Sequence, residues 1–153
     1  MGQARKSPAP FFIDPSDNIY ISGGTDSTDL PLQKAASVGP SDRTFLSKFA
    51  PGAKILLYST FTDASYDVVS ATPAGIAAVV GGAFGSGFPV VNGTDNPRLY
   101  NATDTVYQVY DTTQSGAASL LTSSYLGASA NTISQAATFD TQGNLWFLSL
   151  IHI

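Results

Sequence analysis

Two stretches of this chain interrupt strand-like apolar runs in the same way at a fixed distance. "NIYISGGTDSTDLP" (residues 18–31) and "IAAVVGGAFGSGFP" (residues 76–89) align Gly23 with Gly81, Gly24 with Gly82 and Pro31 with Pro89, each 58 residues apart. A repeat of that length constrains the fold more than any other feature. One unit cannot cover its own apolar face, so it has to stack on the next.

The repetition extends well beyond the glycines. "TFLSKF" (44–49) matches "TVYQVY" (105–110) at an offset of 61, and "LLYSTFTDAS" (56–65) matches "LLTSSYLGAS" (120–129) at 64. The offset grows in steps of three, which places the insertions in loops, where extra residues cost least. A third start, "FDTQGNLWF" (139–147), matches "IDPSDNIYI" (13–21) at 126.

Each unit reads as four short strands. They are expected at 11–14, 18–25, 44–49 and 54–61 in the first unit, and at 67–72, 76–83, 105–110 and 119–125 in the second. Residues 133–140 open a third. Turn chemistry separates the first two strands of each unit. In "DTQGN", Asp140 and Gly143 take the first and fourth positions of a type I turn, and Pro73 and Gly75 take the second and fourth in "TPAG". In "DPSDN", Asp17 stands where the others have glycine, and Asp tolerates left-handed backbone better than most residues.

Composition agrees with an all-β chain. All eleven acidic residues are Asp and none is Glu, while Ser and Thr number 33 and Gly 14; these suit turns and short strands rather than helices. A net charge of −4 with scattered basic residues leaves no footprint for nucleic acid. The longest apolar run, residues 75–84, is too short to span a bilayer as a helix, so no membrane insertion is expected. Residues 1–12 lack the apolar stretch of a signal peptide. With no cysteine, disulfides and thiolate metal sites are excluded.

Four antiparallel strands recurring about every 60 residues fit one β-propeller blade per repeat. "DPSDNIYISGGTDSTDLP", "DRTFLSKFAPGAKILLYSTF", "LLTSSYLGAS" and "FDTQGNLWF" together resemble the SBBP family of bacterial β-propeller repeats. The resemblance runs from about Phe11 to Phe147 and is weaker in the second unit, where Ile76-Ala77 replaces the usual Asn before the buried strand. It implies a partial propeller: a non-repeat segment (1–10), two consecutive four-stranded blades (11–66 and 67–132) and the start of a third (133–147). It also implies that further blades of the same chain are missing, and that the whole is a large secreted or cell-surface bacterial protein. No catalytic residue carries over from it.

The residues themselves offer little chemistry. "GGAFGSG" (81–87) loosely imitates a phosphate-binding loop, but proline follows in place of a helix and there is no Gly-Lys-Ser/Thr. We read the glycines as permitting a bulge or a close backbone approach. Asp14 with Asp17, and Asp26 with Asp29, could act as paired acids or calcium ligands, but neither spacing fits a calcium loop and turn formation explains both. "NGT" at Asn92 and "NAT" at Asn101 match glycosylation acceptors. No cofactor is expected. The strand aromatics Tyr20, Phe45, Phe49, Tyr58, Phe61 and Tyr125 read as core.

Strand direction locates the face on which a ligand would sit. Loops after the second and fourth strands of a blade emerge together, and these are the long ones (26–42 and 84–102), with 62–66 and 126–131 beside them. The candidate ligand residues are therefore Asp26, Asp29, Asp63, Asp95, Arg98 and Tyr100. The expected function is non-catalytic binding of a protein or glycan. The alternatives are a propeller hydrolase or lyase whose residues converge from other blades, and a structural spacer.

The closing "LSLIHI" (148–153) departs from the repeat, since Ser149, Leu150 and Ile151 stand where the first unit has Gly23, Gly24 and Thr25. The hexapeptide is also what a transposon mosaic-end adapter encodes in frame, so we read it as adapter-derived, together with His152, the single histidine. Two blades and a stub leave apolar faces open, so the isolated chain is expected to be marginally folded or self-associated.

Overall fold

The computed structural model describes residues 10–37, 44–63, 65–84, 88–94, 103–126 and 132–151. Strands β1 (Phe11–Ile13), β2 (Ile19–Gly24), β3 (Thr44–Phe49) and β4 (Leu56–Thr62) form one antiparallel meander. Strands β5 (Ser65–Ala71), β6 (Ile76–Phe84), β7 (Thr103–Asp111) and β8 (Leu120–Tyr125) form a second. Strands β9 (Thr132–Phe139) and β10 (Leu145–Ile151) pair as a hairpin. Among the described residues the only helical segments are two short 3₁₀ turns, Pro51–Ala53 and Gly116–Ser119. The chain is all-β, with antiparallel sheets of four, four and two strands.

Pairing repeats with the sequence. Phe12 faces Tyr20, Ser70 faces Ala78 and Thr138 faces Trp146, so the three hairpins share one register. Ile21 and Val79 hold equivalent places, paired with Phe11 and Ser47 in one sheet and with Val69 and Gln108 in the other. Irregularities recur as well. The pairs Phe49–Leu56 and Tyr110–Leu120 each follow a register shift at the same point. A bulge in β5 between Tyr66 and Val68 is matched in β9 opposite Leu148 and Ser149.

That last bulge bears on the glycine pair. Gly81 and Gly82 lie inside β6, paired with Val106 and Thr105 on one side and with Tyr66 and Ser65 on the other. In β10 the same bulge forms beside Ser149, so glycine is not what creates it. The strand also continues to Ile151 where the sequence repeat fails, because alternating apolar residues are enough to extend a hairpin already in register. His152 lies outside the described residues.

The hairpin turns follow the turn chemistry. Asp17 donates its N–H to the Asp14 carbonyl (2.9 Å), and Asp14 donates to the Asn18 carbonyl (3.0 Å). The result is a type I turn closed by a left-handed residue. The left-handed position is Asp17 (φ 60°), Gly75 (φ 88°) or Gly143 (φ 85°). Gly75 is also confined, since an added Cβ would lie 3.1 Å from Thr112 Oγ1 and 3.3 Å from Lys48 Nζ. Asp17 carries strain that glycine would not. Asp17→Gly is expected to raise unfolding free energy by about 0.5–1 kcal/mol, measured by denaturant titration. A loss would show that the Asp17 side chain is needed in the turn.

The sheets pack face to face. β5 lies against β1 and β2 on one side and against β9 on the other, and β6 and β7 also meet β9. Tyr20, Leu46 and Tyr58 of the first sheet share a core with Val69, Ala71, Ala77, Val79 and Tyr110 of the second. On the other face of the second sheet, the Tyr107 ring stacks on Phe147 (6.4 Å between centroids), and Phe139 N–H donates to Ser70 Oγ (3.3 Å). Of the aromatics expected in the core, Tyr20, Tyr58, Phe61 and Tyr125 are buried. Phe45 and Phe49 are half-buried on the outer face of the first sheet.

Burial raises the phenol pKa values of Tyr20, Tyr58 and Tyr110. Unfolded tyrosine ionises near pH 10, so above that pH the folded state binds more protons than the unfolded state and stability falls as pH rises. Each protected phenol contributes a loss of at most about 1.4 kcal/mol per pH unit, approached once unfolded tyrosine is fully ionised. Lys48 opposes this. Burial lowers its pKa below 10.5, so in that window the unfolded state binds the extra proton and the lysine contribution rises with pH. Three groups outweigh one. Denaturant midpoints are expected to drop steeply between about pH 10 and pH 11; constant midpoints there would contradict the burial of these rings.

Candidate functional site

The two long loops do not simply project from the sheets. Each returns along the outer edge of the fourth strand of its sheet. Gln33 and Ser59 exchange backbone hydrogen bonds (3.1 and 2.8 Å), and Val91 and Ser123 do the same (3.0 and 2.8 Å). These bridges sit at equivalent places in the two units, and they cover edges that would otherwise recruit another strand. Gly93 allows the close approach in the second loop, where an added Cβ would lie 2.5 Å from the Ser123 carbonyl oxygen. The Asn92 side chain donates to the Leu121 carbonyl (3.0 Å), so this acceptor asparagine is engaged in anchoring the loop. Asn101 lies outside the described residues.

The structure separates the candidate ligand residues. Asp26 and Asp29 are exposed on the first long loop, and Ser27 hydroxyl donates to the Asp29 carboxylate in a local turn. Asp63 sits where β4 gives way to β5 and is tied to the second sheet. Its N–H donates to Gln108 Oε1 (3.0 Å), and Gln108 Nε2 donates to Asp63 Oδ2 (3.2 Å). Tyr110 hydroxyl donates to the same Gln108 oxygen (3.0 Å). Asp63 thus joins two sheets. Asp95, Arg98 and Tyr100 lie outside the described residues.

A different acid marks the long-loop end. Asp104, at the start of β7, is only 2% exposed, and its Oδ1 has no hydrogen-bond partner among the described residues. A buried acceptor left without a donor costs about 1–3 kcal/mol, so such groups are rare and call for an explanation. Sequence reasoning missed it because an Asp at a strand start reads as another turn former. The signal was its phase, since Asp104 alternates with Val106, Gln108 and Tyr110 on the face toward the first sheet.

The opposite end carries a polar seam between the sheets. Asp14 is buried, which alone would raise its pKa. The Asn18 amide, the N–H groups of Asn18 and Ser16 and the Tyr20 hydroxyl outweigh that and lower it. Lys48 Nζ lies 5.1 Å from the Tyr20 ring centroid and donates to Thr112 Oγ1 (3.3 Å), which donates to the Gly75 carbonyl (2.7 Å). The third hairpin repeats the carboxylate device. Asp140 accepts from the Trp146 indole (2.9 Å) and the Asn144 amide (2.9 Å), donors that bring its pKa down to about 2. Near these turns a cavity of about 630 Å³ is lined by Phe12, Pro15, Thr72, Ile76, Phe139 and Gln142. This cavity lies at the tight-turn end, away from the long loops.

No group of three or more His, Cys, Asp or Glu side chains suited to a metal ion occurs among the described residues. No protein-family model, curated protein or solved structure matches the chain.

Proposed function

We propose that this chain is a non-catalytic propeller-type module of a larger secreted or cell-surface bacterial protein, and that it binds a glycan or protein through its long-loop end. The propeller reading is supported by three hairpins of one register stacked face to face, with β5 between β1 and β9. Further blades of the same kind complete the ring in this reading.

The binding reading is carried by one observation, the buried Asp104 carboxylate, one oxygen of which has no hydrogen-bond partner among the described residues, at the end where the long loops begin. A fixed acceptor there suits the hydroxyl groups of a sugar or the N–H groups of a peptide. Exposed Asp26 and Asp29 add acceptors at the same end.

The test is a glycan array with the purified chain, followed by titration calorimetry on any sugar retained. Asp104→Val is expected to leave stability equal or higher, because it removes an acceptor that has no partner among the described residues, and to abolish binding. Sugar binding unaffected by Asp104→Val and by Asp26→Ala/Asp29→Ala would refute the assignment of the site. Absence of binding to glycans and to extracellular peptides would refute the ligand reading.

A further inference from the structure

The chain shows one interface twice and leaves both halves of it uncovered. The side of the first sheet that carries Tyr20 and Leu46 meets the side of the second that carries Val69, Ala71 and Val79. The opposite side of the second sheet, with Tyr107, meets the third hairpin through Phe147. Each unit therefore has a front, turned to the unit before it, and a back, turned to the unit after it.

Register shows what is left over. The front positions Val69 and Ala71 are each 5% exposed, whereas their equivalents in the first sheet, Phe11 and Ile13, are 69% and 51% exposed. The back positions Ala78 and Val80 are fully buried, and Tyr20 and Ser22 are too. Their equivalents in the hairpin, Trp146 and Leu148, are 63% and 60% exposed. On the first sheet the open front continues into a groove of about 430 Å³ lined by Ile21, Leu30, Pro31, Phe45, Phe49 and Leu56.

We infer that a second copy of this chain docks head to tail, its front, with Phe11 and Ile13, covering the Trp146 and Leu148 back of the first. The occupant follows from continuity. The two open faces belong to the interface already made twice within the chain, and a second copy brings the complementary half. Such a contact is heterologous, so it closes into a ring or grows into an open series. The inference concerns these 153 residues, where a second copy takes the places that further blades take in the propeller reading. It rests on the stacking within the chain and does not depend on what the long-loop end binds.

Two blocked variants test it. Phe11→Asp/Ile13→Asp closes the front and Trp146→Asp/Leu148→Asp closes the back; circular dichroism and melting confirm that each folds. Should either fail to fold, Phe11→Ser/Ile13→Thr and Trp146→Gln/Leu148→Thr replace them. In sedimentation velocity at micromolar concentration, wild type is expected as a ring or a growing series. Each variant alone should be monomeric, with association weakened on the order of tenfold or more. The two mixed should give a 1:1 dimer that grows no further. Monomeric wild type, variants that associate alone through the free edge of β10 or elsewhere, or a mixture that stays monomeric would each overturn the proposal.

Discussion

Tyr110→Ala should remove about 3–5 kcal/mol of stability, a large share of what a domain of this size holds. The ring is 1% exposed and lies 6.3 Å from that of Tyr58, in the core shared by the first two sheets. Its hydroxyl also donates to Gln108, the residue that holds Asp63. Truncation therefore opens a cavity and loosens a polar bridge together. The melting temperature is expected to fall by roughly 6–20 °C. Tyr110→Phe separates the contributions, with a loss near 1 kcal/mol for the hydrogen bond alone. Equal losses for Phe and Ala would show that packing contributes little here, contrary to the face-to-face core.

Lys48 should respond in opposite directions to two substitutions. Its ammonium is desolvated between the sheets, which lowers its pKa, with Thr112 Oγ1 and the Tyr20 ring beside it; Asp14 and Asp111 raise that pKa and Lys34 lowers it. Methionine keeps the apolar stem and removes the cost of a buried charge. Asp14 still has its own donors from Ser16, Asn18 and Tyr20. Lys48→Met is therefore expected to be neutral or to stabilise by about 1–2 kcal/mol, as apolar replacement of buried charge often does. Lys48→Glu places a second carboxylate near Asp14 and should destabilise by about 3–5 kcal/mol at neutral pH. Lowering the pH should recover part of that loss as the new carboxylate protonates. Denaturant titrations of the three proteins decide it, and a destabilising Lys48→Met would mean that the cation is a net contributor to the seam.

Much of the strand plan was legible because the repeat and the turn residues carry local information. The positive φ of Asp17 and the type I turns at Asp14 and Asp140 follow from residue chemistry at fixed positions. The run from Ser149 to Ile151 lacks the repeat signature, and β10 pairs through it all the same. Long-range features were harder to see. The edge bridges of Gln33 with Ser59 and of Val91 with Ser123 join segments whose only sequence signal is polar loop composition. Lys48 sits in phase with Leu46 on β3, which was the cue to a buried lysine, but its partner Thr112 belongs to the other sheet. Asp63 was chosen for its loop position, yet Gln108, which nothing local connects to it, makes it a bridge between sheets.

The central claim is that the second sheet is covered on both faces by copies of its own repeat. Amide hydrogen exchange read by mass spectrometry tests it directly, using the chain with both fronts and backs blocked so that no second copy shields the ends. Peptides covering Ala77–Val80 of β6 and the middle of β7 are expected to exchange most slowly. Those from β2 and β10, each in a unit with one open face, should exchange faster. If β6 exchanged as fast as β2 and β10, the stacked-repeat account would be contradicted.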